Sequence, residues 1–367
     1  MDMKILICNF ESLRTPSGVA SYAVKLLHHL PCLEALTTRN AFNTPLEERE
    51  INLEARTLYN EMIWMKPAKL TLMYRKIRDT DMLHLNPFNF TELILPLISK
   101  IHRKKYIVTM HSNINYHFLN HIIALEMTRL MIVYNLMLLT ADRIVFLSRA
   151  HYESYRKYSL MKNCFRKKAV IIPNGIESER ILTESKAILK RPLTCIFVGR
   201  FEKRKGIYDL LTLAKQLREE EIHFLVVGFG HLKHQENPLK NVTIIGKIDN
   251  ENIFDYYDKS HILLMPSYSE GFPITMLEAM ARGLVVLASD IPGMRERIKS
   301  ERNGYLFPPG DIEKMKERLL FLKDNPHEIS RISRNNLEDV QQFTVVKQAE
   351  KYLEVYRNVL IHDQNLL

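Results

Sequence analysis

The stretch Ser-Tyr-Ser-Glu-Gly-Phe-Pro-Ile-Thr-Met-Leu-Glu, residues 267–278, predicts a turn that connects a buried strand to a helix. The apolar run 261–265 precedes it, and small and apolar residues at helical spacing follow it. Gly271 permits a tight turn, and Pro273 suits the first position of a helix, where a missing N–H costs nothing. The helix therefore begins just beyond the carboxyl end of a strand, where open α/β sheets bind their ligands.

Two glutamates frame this turn. Glu270 lies at its mouth, and Glu278 follows eight residues later inside the predicted helix. The helix start offers free N–H groups and a positive dipole end to a phosphate. The two carboxylates would accept hydrogen bonds from sugar hydroxyls at two points along one ligand. An isolated pair of glutamates at this spacing is more often solvated than ligand-binding. The choice between these two interpretations therefore depends on the surrounding sequence.

A second strand, turn and helix carry basic residues. Thr194–Val198 predicts a buried strand, and Gly-Arg-Phe-Glu-Lys-Arg-Lys-Gly follows it. Arg200 comes at the end of the strand and Lys205 at the start of the next helix. Two cations beside a crevice suit a diphosphate, since arginine binds it in a bidentate manner and lysine acts as a point charge. A solvated basic loop is the alternative, and Lys203 and Arg204 are assigned to that loop.

The N-terminal half predicts the same kind of sheet. Lys4–Asn9 is predicted as a first buried strand, and a turn ending at Gly18 leads into a helix, which brings backbone N–H groups near a ligand. A later strand, 105–110, ends at His111, which can donate to a sugar hydroxyl or carbonyl. Taken alone, His111 would more simply be a turn histidine bonded to the backbone. The stretch 47–65 is predicted to be helical.

Charge and length divide the chain into two parts. A chain of 367 residues is too long for one ordinary core, so two domains are expected. The net charge of +10 lies in the first part: residues 1–175 hold 24 Lys and Arg against 14 Asp and Glu, whereas residues 176–367 hold 28 of each. A basic domain suggests an acidic partner.

The basic, apolar and aromatic run from Trp64 to Arg78 suits an anionic membrane surface, with a helix packed on the sheet as the alternative.

Several other sequence patterns argue against particular classes of protein and of site. No secretory signal is recognised, and charged residues interrupt the apolar stretch 122–139, which predicts a buried helix and not a membrane span. His117 and His121 share a predicted helix face without a third metal ligand, so no metal site is expected. The cysteines lack CxxC spacing, which suits reduced thiols in a cytoplasmic protein. These are Cys8, Cys32, Cys164 and Cys195.

The strings quoted above closely resemble a known signature. Ser-x-x-Glu-Gly-Phe-Pro…Leu-Glu-Ala-Met-Ala-x-Gly, with Gly-Arg…Lys-Gly at 199–206 and Pro-Asn-Gly-Ile at 173–176, is similar to that of the family 4 (group 1) retaining glycosyltransferases. The resemblance implies a GT-B fold, an α/β architecture of two Rossmann-like domains facing across a cleft. The implied parts are an acceptor-side domain 1–175, a linker 176–192, a nucleotide-sugar-binding domain 193–340 and a C-terminal helix 341–367 that crosses back to the first domain.

The resemblance also implies roles for single residues. Glu270, His111, Arg200 and Lys205 are the expected catalytic residues, with Glu270 holding donor-sugar hydroxyls and Glu278 holding the ribose diol. The expected donor-binding set is Gly18, Arg200, Lys205, Ile248, Glu270, Gly271, Phe272, Pro273 and Glu278. The chain departs from the family in having Ser17-Gly18 where two glycines are usual, and Ser112 where an aspartate often follows the histidine.

The implied activity is retaining transfer of a sugar from a nucleotide-sugar to a hydroxyl of a glycan or lipid-linked acceptor, in cell-surface polysaccharide or glycolipid synthesis. No metal and no other cofactor is expected. The expected location is the cytoplasm, with peripheral contact at the inner face of the plasma membrane, and no nucleic acid is expected as a partner. Two alternatives stay open: a GT-B epimerase or hydrolase acting on the nucleotide-sugar itself, and a non-catalytic basic module.

Overall fold

The chain forms two compact units in a computed structural model. One unit comprises Met1–Asn174 and Val345–Leu367, and the other comprises Gly175–Thr344. We call them unit 1 and unit 2. The structure describes residues 3–9, 18–37, 50–52, 56–57, 63–64, 67–86, 94–111, 135–158, 165–185, 192–230, 239–248 and 252–361.

Unit 1 is built on a seven-stranded sheet in which all neighbours run parallel. Its strands are β1 Ile5–Asn9, β2 Leu33–Thr37, β3 Glu50–Asn52, β6 Met82–Leu85, β7 Lys105–Met110, β8 Arg143–Phe146 and β9 Ala169–Ile171. They lie in the order β3-β2-β1-β6-β7-β8-β9. Two short strands, β4 Arg56–Thr57 and β5 Ile63–Trp64, pair antiparallel beside it. Because β1 has β2 on one side and β6 on the other, the chain reverses its direction of winding there.

Helices cover both faces of this sheet. They are α1 Gly18–His29, α2 Pro67–Asp79, α3 Ile94–Ile101, α4 Arg149–Tyr158 and, from the end of the chain, α11 Val345–Ile361. Side chains alternate along a strand, so Ile5 and Ile7 point to one face and Leu6 and Cys8 to the other. The first face packs against α1 and α11, and the second packs against α2 and residues 137–141.

The helix expected at 47–65 is wrong. Residues 50–52 instead form β3, which extends the sheet by pairing with β2. Residues 56–57 and 63–64 form the antiparallel pair β4 and β5. The leucines and glutamates of this stretch favour a helix locally, but propensity is a weak prior, and pairing at a sheet edge overrides it.

Unit 2 is built on a six-stranded parallel sheet. Its strands are β10 Leu193–Arg200, β11 Ile222–Phe229, β12 Val242–Gly246, β13 Ile262–Met265, β14 Val285–Ser289 and β15 Gly304–Phe307. They lie in the order β12-β11-β10-β13-β14-β15. The first strand of the unit, β10, is again central, with β11 on one side and β13 on the other. The switch point of this sheet is therefore between β10 and β13.

The helices of unit 2 complete its core. They are α5 Ile207–Gln216, α6 Ile253–Asp258, α7 Ile274–Ala281, α8 Pro292–Arg295, α9 Ile312–Asp324 and α10 Pro326–Val340. Apolar side chains of α5, α9 and α10 pack on one face of the sheet. Part of the expected linker also belongs here, since the N–H of Leu182 donates to the carbonyl of Ala281, and Arg282 donates to the carbonyl of Arg180. Within the described ranges, no helix combines the length and apolarity needed to cross a membrane.

Candidate functional site

The loops after β10 and β13 leave the same edge of the unit 2 sheet, at its switch point. The first loop holds a 3-10 turn, Lys203–Lys205, and ends at Gly206, whose φ of +72° is left-handed. A Cβ at Gly206 would lie 2.0 Å from the carbonyl oxygen of Pro266 in the second loop, so only glycine allows this approach. The two loops thus form one surface where open α/β sheets bind ligands.

Backbone and side-chain hydrogen bonds tie these loops together. The N–H of Tyr268 donates to the carbonyl of Arg204 at 2.8 Å, and Arg204 Nη1 donates to the carbonyl of Ser269 at 3.0 Å. The assignment of Arg204 to a solvated loop does not describe this half-buried residue. It joins the two loops, whereas its neighbour Lys203 is exposed, as that assignment expects.

Lys205 and Glu270 form an ion pair at the centre of this surface. Lys205 Nζ lies 2.5 Å from Glu270 Oε1, and the same oxygen accepts a hydrogen bond from Ser267 Oγ at 2.8 Å. The Glu270 side chain is 7% exposed and that of Lys205 20%. Burial raises the pKa of Glu270, but the charge and hydrogen bond of Lys205, with the charge of Arg204, outweigh it and leave this pKa below its ordinary value. Glu270 is therefore an anion at neutral pH.

Arg200 is the second cation of the site and is more accessible. It is the last residue of β10, and its Nη1 lies 2.9 Å from Glu202 Oε1. Its side chain is 49% exposed. An exposed ion pair in water contributes little stability, so Arg200 can exchange Glu202 for an incoming anion at small cost.

The turn Gly271-Phe272-Pro273 leads into α7. Pro273 precedes the helix as its N-cap in an extended conformation, one residue earlier than the first helical position expected from the sequence. Phe272 is buried, and the guanidinium of Arg297 lies 4.9 Å from its ring centre and 4.7 Å from that of Phe343. These contacts hold the turn in place. Gly293 also packs closely against it, since a Cβ at this position would lie 2.5 Å from the carbonyl oxygen of Glu270.

Glu278 is the fifth residue of α7, about 6 Å along its axis from the first residue. This is slightly more than one turn into the helix, against the two turns expected from the sequence. Its Oε2 accepts a hydrogen bond from the hydroxyl of Tyr257 in α6 at 3.0 Å. Burial, with the adjacent carboxylate, raises the pKa of Tyr257 well above its usual value, so this hydroxyl stays a donor. Sequence reasoning missed Tyr257, since nothing local links it to a residue 21 positions away.

Ile248 lies at the same edge of the sheet, just after β12 and two strands from β10. Adjacent strands are about 4.8 Å apart, so Ile248 is about 10 Å to one side of Arg200 along the edge. Arg200, Lys205, Glu270 and the Gly271–Pro273 turn are thus gathered at the switch point, with Glu278 and Ile248 around it.

Gly18 and His111, the other expected site residues, lie at the carboxyl edge of the unit 1 sheet. Gly18 begins α1, which follows β1, and His111 follows β7. Strand β6 separates β1 from β7, and Asn86, a residue that sequence reasoning missed, follows its last residue. Nε2 of His111 lies 3.3 Å from Oδ1 of Asn86, and the ring of Tyr22 meets the His111 ring edge-on at 4.7 Å. Burial and the nearby His151 lower the pKa of His111 to about 3, so the ring is neutral at neutral pH.

A neutral polar network lies below this edge of unit 1. His84 Nε2 lies 2.8 Å from Thr109 Oγ1, and His84 Nδ1 lies 2.7 Å from the hydroxyl of Tyr356 in α11. Tyr352, also in α11, lies 3.0 Å from Thr109 Oγ1. Burial and the nearby His111 lower the pKa of His84 to about 3. The C-terminal helix is therefore joined to the sheet by hydrogen bonds as well as by apolar contacts.

Metal ligands were not expected from the sequence. Among the residues that the structure describes, no three His, Cys, Asp or Glu side chains are grouped as a metal site. His117 and His121, Ser112 and Cys164 lie outside the described residues, as does Ser17. Among the described residues, Cys8, Cys32 and Cys195 form no disulfide.

Comparison with known proteins supports the signature in unit 2. Residues 178–339 match the family described as glycosyl transferases group 1. The amylovoran biosynthesis glycosyltransferase AmsK of Erwinia amylovora is 28% identical over 181 residues, which are 45% of this chain and 44% of that protein. An N,N'-diacetylbacillosaminyl-diphospho-undecaprenol alpha-1,3-N-acetylgalactosaminyltransferase of Campylobacter jejuni is 25% identical over 244 residues, 62% of this chain and 63% of that protein. The chain thus matches about half the length of these relatives.

Solved structures resemble the whole chain. Sucrose-phosphate synthase from Thermosynechococcus elongatus superposes with a TM-score of 0.77 at 21% identity, covering 98% of this chain and all of that one. Anabaena HepE in complex with UDP-glucose gives 0.75 at 17% identity, covering 97% of this chain and all of that one. These matches confirm the resemblance to group 1 glycosyltransferases and the GT-B fold.

Proposed function

We propose that this chain, whose unit 2 carries the group 1 glycosyltransferase signature, is a retaining glycosyltransferase. It moves a sugar from a nucleotide-sugar to a hydroxyl of a glycan or lipid-linked acceptor, in polysaccharide or glycolipid synthesis. The relatives support this class, because the Campylobacter protein is named for transfer to a diphospho-undecaprenol-linked sugar and HepE was solved with UDP-glucose. The chain matches only part of the curated relatives, so the donor and acceptor are proposed as classes.

The observation that carries the proposal is the cluster Arg200, Lys205 and Glu270 beside the start of α7. Sugar transfer needs positive charge where the nucleoside diphosphate departs, and it needs acceptors for the sugar hydroxyls. Arg200 and Lys205 supply the charge and Glu270 the acceptor. The free N–H groups of α7 add to the positive potential.

The proposed reaction breaks the bond between the anomeric carbon and the leaving phosphate oxygen. The acceptor hydroxyl oxygen forms the new bond on the same face of the sugar, which retains the configuration. Its proton passes to the departing diphosphate, so the step balances without a separate general base. Arg200 and Lys205 stabilise the additional negative charge that builds up on the departing diphosphate, and Glu278, oriented by Tyr257, holds the ribose diol.

A membrane contact is part of the proposal. On α2, Leu70 and Tyr74 are exposed, and on α3, Leu97 and Ile101 are exposed at 62% and 65%. We call these four residues the α2–α3 surface; the ring of Tyr74 meets that of His102 at 4.4 Å, which joins the two helices. Exposed cations are close to these residues in sequence, among them Arg75, Arg78, Lys100 and Arg103. Apolar side chains interleaved with cations suit an anionic lipid surface.

From the sequence, the membrane contact was expected at 64–78. Within that stretch Met73 is buried, and Lys76 pairs with Glu34 at 3.2 Å, which offsets its charge. Leu70 and Tyr74 remain, and α3 adds two exposed apolar residues that sequence reasoning did not assign to the patch. The side chain of Trp64 lies outside the description.

The first experiment identifies the donor. The purified chain is titrated calorimetrically with UDP-glucose, UDP-galactose, UDP-N-acetylglucosamine, UDP-N-acetylgalactosamine and GDP-mannose, and then assayed with each donor and a panel of octyl glycosides. Binding of at least one donor and transfer with retained configuration are expected. Donor turnover that is independent of any acceptor, or conversion of the donor sugar into an epimer, would instead favour the epimerase or hydrolase alternative.

The proposal includes independence from metal ions, because Arg200 and Lys205 can match the charge of the diphosphate themselves. Transfer is therefore expected to continue at an unchanged rate in EDTA. The control adds magnesium or manganese after chelation. Complete loss with EDTA and recovery with either ion would contradict this part of the proposal.

A further inference from the structure

Asn86 has hydrogen-bonding capacity that the described part of the protein does not use. It is 1% exposed and lies at the end of β6, between the strands that lead to Gly18 and His111. Its Oδ1 contacts Nε2 of His111 at 3.3 Å. No described residue accepts a hydrogen bond from its Nδ2. A buried amide group without a partner costs about 1–3 kcal/mol, so its presence calls for an explanation.

The partner of Asn86 has a complementary free position. If Oδ1 accepts from Nε2 of His111, the neutral ring has its proton on Nε2, and Nδ1 is an acceptor. No described residue forms a hydrogen bond to that nitrogen. If the amide is turned over, Asn86 keeps a free acceptor and His111 a free donor. In both arrangements the pair offers one donor and one acceptor, the combination that a hydroxyl group satisfies.

Neutrality of the ring is maintained by its surroundings. Burial and His151 lower the pKa of His111 to about 3, and His84 lies in the same buried region with a pKa of about 3. The edge of Tyr22, at 4.7 Å, holds the His111 ring in place. A charged ring would offer two donors and no acceptor, so this environment preserves the hydroxyl-binding combination.

We propose that Asn86 is a further substrate-binding residue, which binds a sugar hydroxyl together with His111. The proposal rests on the proposed function, since it concerns the substrate of the same reaction. A sugar hydroxyl has two sources here, the donor sugar and the acceptor, and their chemistry at this pair is the same. Together with His111, Asn86 favours a hydroxyl group that donates one hydrogen bond and accepts another.

The test compares Asn86→Ala with Asn241→Ala. Asn241 is a matched control, a buried asparagine of unit 2 whose Nδ2 donates to the carbonyls of Ala214 and Leu217 at 2.9 and 3.3 Å. For each variant, one arm measures the ratio of the Kd of the free nucleotide to that of its nucleotide-sugar. The other arm measures KM and kcat for an octyl glycoside acceptor. A thermal melt gives Tm for both.

For Asn86→Ala, we expect a loss of about tenfold in one arm, the size of a missing hydrogen bond. A loss in the Kd ratio identifies the donor sugar as the source, and a raised acceptor KM identifies the acceptor. Its Tm is expected to fall less than that of Asn241→Ala, because no described residue accepts a hydrogen bond from the N–H groups of the lost amide. Asn241→Ala is expected to lower Tm and to leave both arms unchanged.

Three results would overturn the inference. Unchanged Kd ratio and KM in a folded Asn86→Ala variant would mean that the amide holds an ordered water only. A Tm loss larger than that of Asn241→Ala would make Asn86 a structural support. A similar-sized Asn86→Leu variant with full activity would exclude a binding role even if Asn86→Ala misfolds. Failure of the wild-type chain to bind any nucleotide-sugar is a different outcome, since it refutes the proposed function before a variant is made.

Discussion

The carboxyl edges of the two sheets both contain a switch point, but the described side chains there differ in charge. In unit 2, the switch point holds two ion pairs, Lys205 with Glu270 and Arg200 with Glu202. In unit 1, the described side chains at the corresponding edge include two neutral groups, His111 and Asn86. A parallel sheet brings loops together at one edge, but it does not specify what those loops carry. The chemistry of each site depends on side chains at only a few positions.

The two edges also differ in the interactions that hold their polar side chains in place. At unit 2, Arg200 is held in an exposed ion pair that an anionic ligand can displace, whereas Lys205 is held in a buried one. At unit 1, His111 packs against Tyr22, and below it His84 and Thr109 are hydrogen-bonded to tyrosines of α11. We therefore expect substitutions of charged residues to have their largest effects in unit 2. A fall in pH is expected to have its largest effect on the stability of unit 1.

Lys205→Ala is expected to have the largest effect. It removes a phosphate-binding cation and leaves the carboxylate of Glu270 buried without its ion-pair partner. Breaking a buried pair costs about 3–5 kcal/mol, and an equal loss of transition-state stabilisation would lower kcat/KM by about two to four orders of magnitude. Lys203→Ala is the control, because Lys203 lies in the same turn but is exposed. Equal effects of the two substitutions would mean that the loop contributes only general positive charge.

Glu278→Gln is expected to weaken donor binding by a smaller amount. A carboxylate that accepts from two ribose hydroxyls becomes an amide with one misplaced donor, and a charged hydrogen bond contributes about 1.5–3 kcal/mol. Calorimetry should show a Kd for the nucleotide about 10- to 100-fold higher. Tyr257→Phe should raise the same Kd by less than tenfold, since it only frees the carboxylate to rotate. Unchanged nucleotide affinity in Glu278→Gln would refute the ribose assignment.

Acidification is expected to weaken unit 1 before unit 2. The pKa values of His84 and His111 are about 3, below the ordinary value of 6.5. Between these two pH values, the two histidines bind protons in the unfolded chain but not in the folded unit. Stability is therefore lost as pH falls below 6.5, by about 1.4 kcal/mol per pH unit for each histidine. The lowered pKa of Glu270 contributes stability above its ordinary value of 4.5, and that contribution is lost only below it.

The measurement uses the only tryptophan of the chain, Trp64, which belongs to unit 1. Urea unfolding followed by its fluorescence should give a lower midpoint at pH 5.5 than at pH 7.5. His84→Gln removes one of the two titrating rings and should make this dependence shallower. A midpoint that does not change with pH would show that the histidines are not buried as described.

The smallest effect is expected at the α2–α3 surface. Each cation near an anionic membrane contributes about 1 kcal/mol, and salt weakens this attraction. The chain should co-sediment with anionic vesicles at low salt more than with neutral ones. Replacement of both Leu97 and Ile101 with Gln should weaken binding several-fold, whereas Ile244→Gln, at an exposed apolar residue of unit 2, should not. No preference for anionic vesicles would favour a soluble acceptor.

Local sequence was sufficient to predict the unit 2 edge. Arg200, Lys205, Glu270 and Gly271 all lie in turns that directly follow apolar runs, and parallel strands bring such turns to one edge. Their neighbourhood therefore follows from the fold class and needs no distant information. The two parallel sheets were predictable for the same reason, from buried strands alternating with helices.

Contacts across long sequence separations could not be predicted in this way. The bond from Tyr257 to Glu278 joins two helices, and that from His84 to Tyr356 joins residues 272 positions apart. Neither residue of these pairs carries a local signal for its partner. Asn86 likewise looks like any polar residue after a strand, and only its burial distinguishes it. The expected helix at 47–65 failed because strand pairing with β2 decides the conformation there.

The return of α11 to unit 1 sets an order for biosynthesis. Unit 2 is one continuous segment, Gly175–Thr344, and can fold as soon as it leaves the ribosome. Unit 1 has to wait, because Tyr352 and Tyr356 cover the face of its sheet that holds Ile5 and Ile7. At 5–20 residues per second, the intervening segment takes about 10–30 s to synthesise. For that time α1 alone packs on this face, and the apolar surface that α11 later covers stays exposed on the nascent chain.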